Sequence, residues 1–387
     1  MRRLLAFVSA VILVETIFFA ALAPLLPRFA DELDLSKWQS GILVATYALG
    51  GIAGAIPAGL LSSRAGVKAT VLVGLLLVTG TSVAFGVVDR YWLLDLARFA
   101  QGVGGALCWT GALAWLVGEA PRDRRGELIG IAMSAALAGA LLGPVLGGVA
   151  SHFGRAPAFG GVAALSLCLA LTATRIAAPP RGESQPLSLL LVALRSRQVI
   201  AGMWLLSLPA LLFGTLSVLG PLQLDELGWG VIGVAGTFFV SAAVEAVLAP
   251  PTGRWSDRRG RLAPIRFGLV AGAAVSLIIP WIGERWALSV FVVLAGIAYG
   301  AFWAPSMAML SDGWEAAGVE HGLGFALMNF GWAPGNVVGA AAGGAVADAA
   351  GDVVAYAVSA ALCIATLAIL GRRSVRTALT AARARAV

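Results

Sequence analysis

The chain has 387 residues, of which 59% are hydrophobic and 12% charged. Soluble domains carry about 25% charged residues, so an ordinary soluble protein is excluded and an integral membrane protein is expected. The net charge of +7 does not point to nucleic acid, because the basic residues cluster in short stretches between apolar runs, which is the pattern of membrane topology.

Spanning a hydrocarbon core of ~30 Å takes about 20 helical residues. Apolar runs of that length predict twelve spans, near 4–27, 39–62, 67–88, 91–117, 126–150, 155–176, 197–223, 230–252, 263–283, 285–311, 320–347 and 351–370. The first run begins like a signal peptide, with a basic start and an apolar stretch. It continues through Pro24 and Pro27, however, and has a counterpart in the second half, so it is read as a span. With the N-terminus inside, 21 of the 27 Lys and Arg residues fall in cytoplasmic segments. Only Arg28, Lys37, Arg90, Arg155 and Arg285 fall outside, and Arg98 lies within a span. This bias predicts a multi-pass protein of the cytoplasmic (cell inner) membrane with both termini cytoplasmic. In the longest inner loop (175–198), LSLLLVALRSR is expected to form a short helix on the inner leaflet.

The two halves of the chain are related. ADEL (30–33) and LDEL (224–227) stand 194 residues apart, as do Pro27 and Pro221. The same shift lays PAGLLSSRAG (57–66) on PTGRWSDRRG (251–260), and a shift of 196 lays GALLGPVLGG (139–148) on GNVVGAAAGG (335–344). The expected organisation is a six-helix bundle at 1–176, a cytoplasmic linker at 177–196, and a second six-helix bundle at 197–387 ending in a short basic tail. Internal repeats around a midplane site are a transporter signature.

Three stretches carry motifs. In GRWSDRRGR (253–261), Gly253 and Gly260 are expected to permit a tight loop, Asp257 to cap a helix or pair with an Arg, and Arg258 to help hold the loop inside. The first-half copy keeps Gly59, Arg64, Gly66 and Lys68 but has Ser63 where the acid would be. In RFAQGVGGA (98–106), Arg98 lies too deep to be an interfacial anchor and Gln101 is one turn away, while Gly102 and Gly105 permit close backbone approach. In GALLGPVLGG, Gly139, Gly143 and Gly147 stand at i, i+4 and i+8 with Pro144 and Gly148 beside them. Such spacing makes a groove for another helix. Gly335 and Gly339 belong to its second-half copy.

These three stretches resemble the motifs of the major facilitator superfamily: its signature cytoplasmic loop, intact after the eighth span and degraded in the first-half copy, the fourth-helix Arg motif, and the antiporter motif of the fifth helix. The resemblance covers the whole chain. It implies an all-α membrane protein with twelve transmembrane helices in two pseudo-symmetric six-helix bundles. It also implies that the basic loops latch the cytoplasmic face, that a buried Arg beside a polar residue assists proton transfer, and that the protein exports rather than imports.

Glu15 stands midway along the first run, among Ile12, Phe18, Phe19 and Leu22. An acid at mid-bilayer depth costs roughly 2.5–3.5 kcal/mol on insertion scales and marks a functional site by default. Its position at +194 is Pro209, so the acid is not a device of the repeat. Drug:proton exporters of the resembled superfamily carry an acid at this place, and Glu15, Arg98 and Glu245 are the expected proton-coupling residues. Glu245, whose first-half counterpart is Gly51, is alternatively a partner for the inner basic loops or a helix–helix hydrogen-bonder. The expected substrate cavity draws on Phe18, Phe19, Tyr47, Gln101, Trp109, Tyr299, Trp303 and Asn329.

The absence of a phosphate-binding G-x-x-x-x-G-K-[ST] loop leaves a gradient as the energy source, so no cofactor and no ATP site are expected. Cys108, Cys168 and Cys363 all fall in apolar runs, and His152 and His321 are far apart, so neither a disulfide framework nor a metal site is expected. The function expected is proton-coupled efflux, of the multidrug kind, of a small amphipathic or apolar compound. The partners are then the lipid bilayer, a small-molecule substrate and protons, with no nucleic acid, and the protein acts as a monomer and not as an enzyme. A sugar or nutrient permease is the alternative, disfavoured by the scarcity of Asn, Gln and Asp in the spans. A non-transporting sensor would need a partner domain, and no loop exceeds about 25 residues by the predicted boundaries.

Overall fold

The computed structural model describes residues 1–121, 124–178, 188–319 and 321–385. Its helices follow the predicted order. The first span is split into α1 (Arg2–Ala20) and α2 (Leu22–Leu33). Then come α3 (Lys37–Arg64), α4 (Val67–Val87), α5 (Tyr91–Glu119), α6 (Arg125–Phe153) and α7 (Arg155–Arg175). After the short α8 (Ser188–Ala193) follow α9 (Arg197–Glu226), α10 (Gly230–Arg259), α11 (Leu262–Ile278) and α12 (Arg285–Ala316). The chain closes with α13 (His321–Val337), α14 (Gly343–Ala350) and α15 (Asp352–Arg385).

Among the described residues, eleven helical stretches are long and apolar enough to cross a membrane. The twelfth expected span, 320–347, falls on α13 and α14, joined by a π-helical turn at Val338–Ala342 that interrupts the α-helical run. The break between α1 and α2 has a covalent cause. Pro24 has no amide hydrogen to give the Ala20 carbonyl, so regular i→i−4 bonding fails there.

Several helices outrun the predicted spans, because a helix need not stop where its apolar stretch ends. The correction bears on the basic loops. Gly253 lies inside α10 and so does not form the tight turn expected of it, and its first-half copy Gly59 lies inside α3. The turns are made by Gly66 (φ 92°, ψ 159°) and Gly260 (φ 81°, ψ 151°), in a left-handed region that a side chain rarely adopts. The two copies thus share one backbone conformation at equivalent places. Gly154 (φ 95°, ψ 157°) and Gly351 (φ 85°, ψ 160°) repeat it at another pair of junctions.

The expected basic tail is not a separate segment, since α15 continues through it to Arg385. In the linker region, Leu191, Val192 and Leu194 in and beside α8 are exposed, as an interfacial helix requires. Linker residues 179–187, with Arg181, lie outside the described residues, as does Arg122.

Helices α1 to α7 pack chiefly on one another, notably α1 on α6, α3 and α4 on α5, and α4 on α7. Helices α9 to α15 do likewise, with α9 on α12 and α13, α11 on α12 and α15, and α10 on α12. The two groups meet where α3 lies against α13 and α14, and where α10 lies against α6 and α2.

The glycine-rich stretches are the close-packed seams of this arrangement. A Cβ on Gly139 would stand 2.7 Å from the Cβ of Thr16, one on Gly143 2.8 Å from the Ala20 carbonyl carbon, and one on Gly147 2.9 Å from the Ala21 oxygen. The i, i+4, i+8 row thus seats α6 directly on the first span. In the second half, Gly335 and Gly339 press on the backbone of Ser207 and Leu211 in α9, and Gly343 on Thr215. The next residue in each row points elsewhere: Gly148 meets Ala235 of α10, and Gly344 meets Lys37 and Trp38 of α3.

Candidate functional site

Between the two groups of helices lies a cavity of about 780 Å³. Its walls run from mid-helix toward the face that carries the basic loops, past Met133, Leu137, Thr252, Trp255, Phe267 and Met307. At the opposite face the groups are locked together. The Asp348 carboxylate accepts from the backbone amides of Lys37 (3.1 Å) and Trp38 (2.7 Å), capping the N-terminus of α3 from the other bundle. The Lys37 ammonium reaches Asp352 at 2.8 Å and Glu226 at 3.8 Å. The cavity is therefore closed at the face opposite the basic loops.

The first-bundle wall is organised by a glycine seam between α3 and α5. A Cβ on Gly54 would lie 3.0 Å from Val103, one on Gly102 2.9 Å from the Gly51 nitrogen, and one on Gly105 2.6 Å from Glu15 Oε1. This close approach brings Tyr47 of α3 and Trp109 of α5 onto Glu15 of α1. The Tyr47 hydroxyl donates to Glu15 Oε1, and Trp109 Nε1 donates to Oε2 at 2.8 Å. Glu15 is 2% exposed and yet lines the cavity. Both carboxylate oxygens are thus satisfied by neutral donors, which offsets part of the cost of burying the acid.

Arg98 is 1% exposed. One of its NH groups donates to Gln101 Oε1 at 2.7 Å and another to the Phe19 carbonyl at 3.0 Å, one residue before α1 ends. The guanidinium also lies over the Tyr47 ring at 4.9 Å and the Phe19 ring at 5.5 Å, the cation–π geometry worth about 2 kcal/mol when desolvated. Among the described residues it makes no ion pair with Glu15. The two are coupled through Tyr47, whose ring carries the cation and whose hydroxyl holds the carboxylate.

Of the residues expected at the cavity, Phe19, Tyr47, Trp109, Trp303 and Asn329 line it, as do Glu15, Arg98 and Glu245. Three do not. Phe18, one position round the helix from Phe19, packs against Phe85 and Phe159 with ring centroids at 5.5 and 5.4 Å. Gln101 is wholly buried and committed to Arg98. Tyr299 is buried against Phe213, its hydroxyl 2.9 Å from that of Ser276. Asn336, a candidate cavity hydrogen-bonder by sequence, lines the wall too, and Trp332, which closes on Phe19 at 6.5 Å, lines it without having been expected there.

The loop residues sit as follows. Arg64 and Arg258 are exposed, and among the described residues Asp257 pairs only with Arg261, at 3.9 Å, with 74% of its side chain exposed. Such a pair contributes little. Arg261 pairs more closely with Asp312 of α12, at 2.9 Å. Gly335 and Gly339 serve the α9 seam, and Pro144 lines the cavity.

A membrane-spanning helical chain with a central cavity between two repeated bundles defines a secondary transporter, not an enzyme. The Major Facilitator Superfamily pattern matches residues 8–319 and, in an overlapping second match, 240–386. The chain belongs to this superfamily. It is similar to the uncharacterized MFS-type transporter YcaD of Salmonella enteritidis PT4, 25% identical over 319 residues that cover 80% of this chain and 79% of that protein. The YcaD of Salmonella arizonae matches at the same identity and coverage. Among solved structures, a bacterial homolog of the human lysosomal transporter Spinster, inward-facing and unoccupied, superposes with a TM-score of 0.74 at 16% identity, over 95% of this chain and 94% of that one. Its inward-facing, occupied form gives 0.71.

Proposed function

We propose that this transporter is a proton-coupled exporter of a small amphipathic or apolar compound, residing in the cytoplasmic membrane with both termini inside. Residues 1–176 and 197–387 act as the two rocking units, joined by the 177–196 linker. The observation that carries this reading is Glu15: a buried acid on the cavity wall, held by two neutral donors and facing, among the described residues, no basic partner within ion-pair distance. An acid so placed gains or loses a proton without breaking a salt bridge. Arg98 is poised behind Tyr47, its guanidinium over the ring whose hydroxyl holds the acid. The mostly apolar lining supports an amphipathic solute over a sugar, which would need many hydroxyl partners.

In this cycle, protonation of Glu15 and occupation by substrate compete, and the cavity alternates between faces as the bundles rock. In inverted vesicles, Glu15→Gln is expected to abolish extrusion driven by an imposed pH gradient, while insertion and melting temperature stay near wild type. Extrusion against a gradient by that variant would overturn the mechanism.

A further inference from the structure

The charged side chains on the cavity wall are Glu15, Arg98 and Glu245. The first two stand together through Tyr47. Glu245, on α10 of the other bundle, makes no hydrogen bond or ion pair among the described residues. Its carboxylate faces the small residue Gly300, where a Cβ would lie 3.0 Å from Oε1. Around it the wall is Ser241, Ala242, Leu248, Ala249 and Ala301. No basic-loop residue among those described pairs with it, and Arg261 engages Asp312 and Asp257 instead. A helix–helix bond is likewise not formed.

A carboxylate half-buried in an apolar wall pays a desolvation cost that nothing in this bundle offsets. The repeat places Gly51 at the same position of the first bundle, and a Cβ there would meet nothing within 4 Å. The wall thus has an acid on one side of the pseudo-symmetry and open room on the other. The aromatic residues Trp303, Phe238 and Trp332 line the same space, and aromatic rings suit a flat or bulky cation.

We propose that Glu245 is the ion-pairing residue for a positively charged nitrogen or phosphorus centre on the transported molecule, so that the cavity selects amphipathic monocations. This rests on the cavity being the substrate site, and it gives the second acid a role apart from the proton carrier.

The test is equilibrium dialysis of the purified full-length protein in detergent, at one pH and with no gradient. The probes are tetraphenylphosphonium and tetraphenylborate, which share size and shape and differ in charge. Wild type is expected to bind the cation saturably and not the anion. Glu245→Gln should weaken cation binding about tenfold or more, as loss of one partner of a close charge pair does, and Glu245→Asp should retain most of it. Unaltered melting temperature and elution of both variants exclude misfolding. Equal affinity in Glu245→Gln and wild type, saturable binding of both ions alike, or no saturable binding of the cation by wild type would each overturn the proposal. Glu245-dependent binding without export of the cation under an imposed pH gradient would leave this assignment standing and remove the proton-coupled reading instead.

Discussion

Gly105 marks where the site is least tolerant of change. A methyl group there would stand 2.6 Å from Glu15 Oε1 and 2.9 Å from the Tyr47 hydroxyl, so Gly105→Ala must push the two apart. Overpacking of this kind costs roughly 1–3 kcal/mol, and here the displaced atoms are the acid and its donor. Gly105→Ala is therefore expected to cut the proposed gradient-driven export severely while lowering the melting temperature only moderately. A variant that melts early but transports at the wild-type rate per folded molecule would contradict this. The acid itself was legible in the sequence because a carboxylate amid apolar residues is conspicuous. Its partners were not. Tyr47 and Trp109 are 32 and 94 residues away, and they meet Glu15 only because glycines let α3 and α5 close on each other beside α1. Phe18 was misplaced for a related reason: within one helix turn, only the packing of α4 and α7 decides which of two neighbouring phenylalanines faces the cavity.

At the scale of the element, the start of α3 is held by a residue it does not own. The amides of Lys37 and Trp38 are bonded by Asp348, at the end of α14. Ser36 provides a local capping box as well, accepting from the Gln39 amide, so α3 survives loss of the foreign cap. Asp348→Ala is expected to spare folding and to loosen the closed face. Losing a cap costs about 1 kcal/mol, enough to change a two-state population ratio about fivefold. Spin labels at Arg90→Cys and Gly283→Cys, in loops of that face on either bundle, should report a larger share of long distances. An unchanged distance distribution would show that the cap does not bias the equilibrium. Nothing in one sequence pairs Asp348 with Lys37, because the contact is made between bundles. The π-helical turn at Val338–Ala342, within which Gly339 seats on α9, was equally invisible. The spans, their repeat and the glycine rows were readable, since each follows from local composition and spacing.

At the scale of the molecule, the two glycine rows are expected to divide substitutions into tolerated and destabilising. Gly160 and Gly59 have open space where a Cβ would go, while Gly335 presses on the Ser207 backbone. Gly335→Ala should lower the melting temperature in detergent, by an amount corresponding to roughly 1–3 kcal/mol, and Gly160→Ala should leave it unchanged. Equal melting of the two would mean the seam is softer than its geometry. The consequence reaches further at the ends of the rows. Gly147 and Gly343 touch the first helix of their own bundle, and Gly148 and Gly344, one residue later, touch the second helix of the other bundle. Each glycine helix is thus a bearing with one bolted surface and one sliding surface, a single residue apart on its circumference. A side chain added at Gly343 loads the bolted surface, while one added at Gly344 jams or wedges the sliding one. Neighbouring letters in one stretch of sequence should therefore yield unlike defects, the first in how hot the protein can be taken and the second in how fast it turns over.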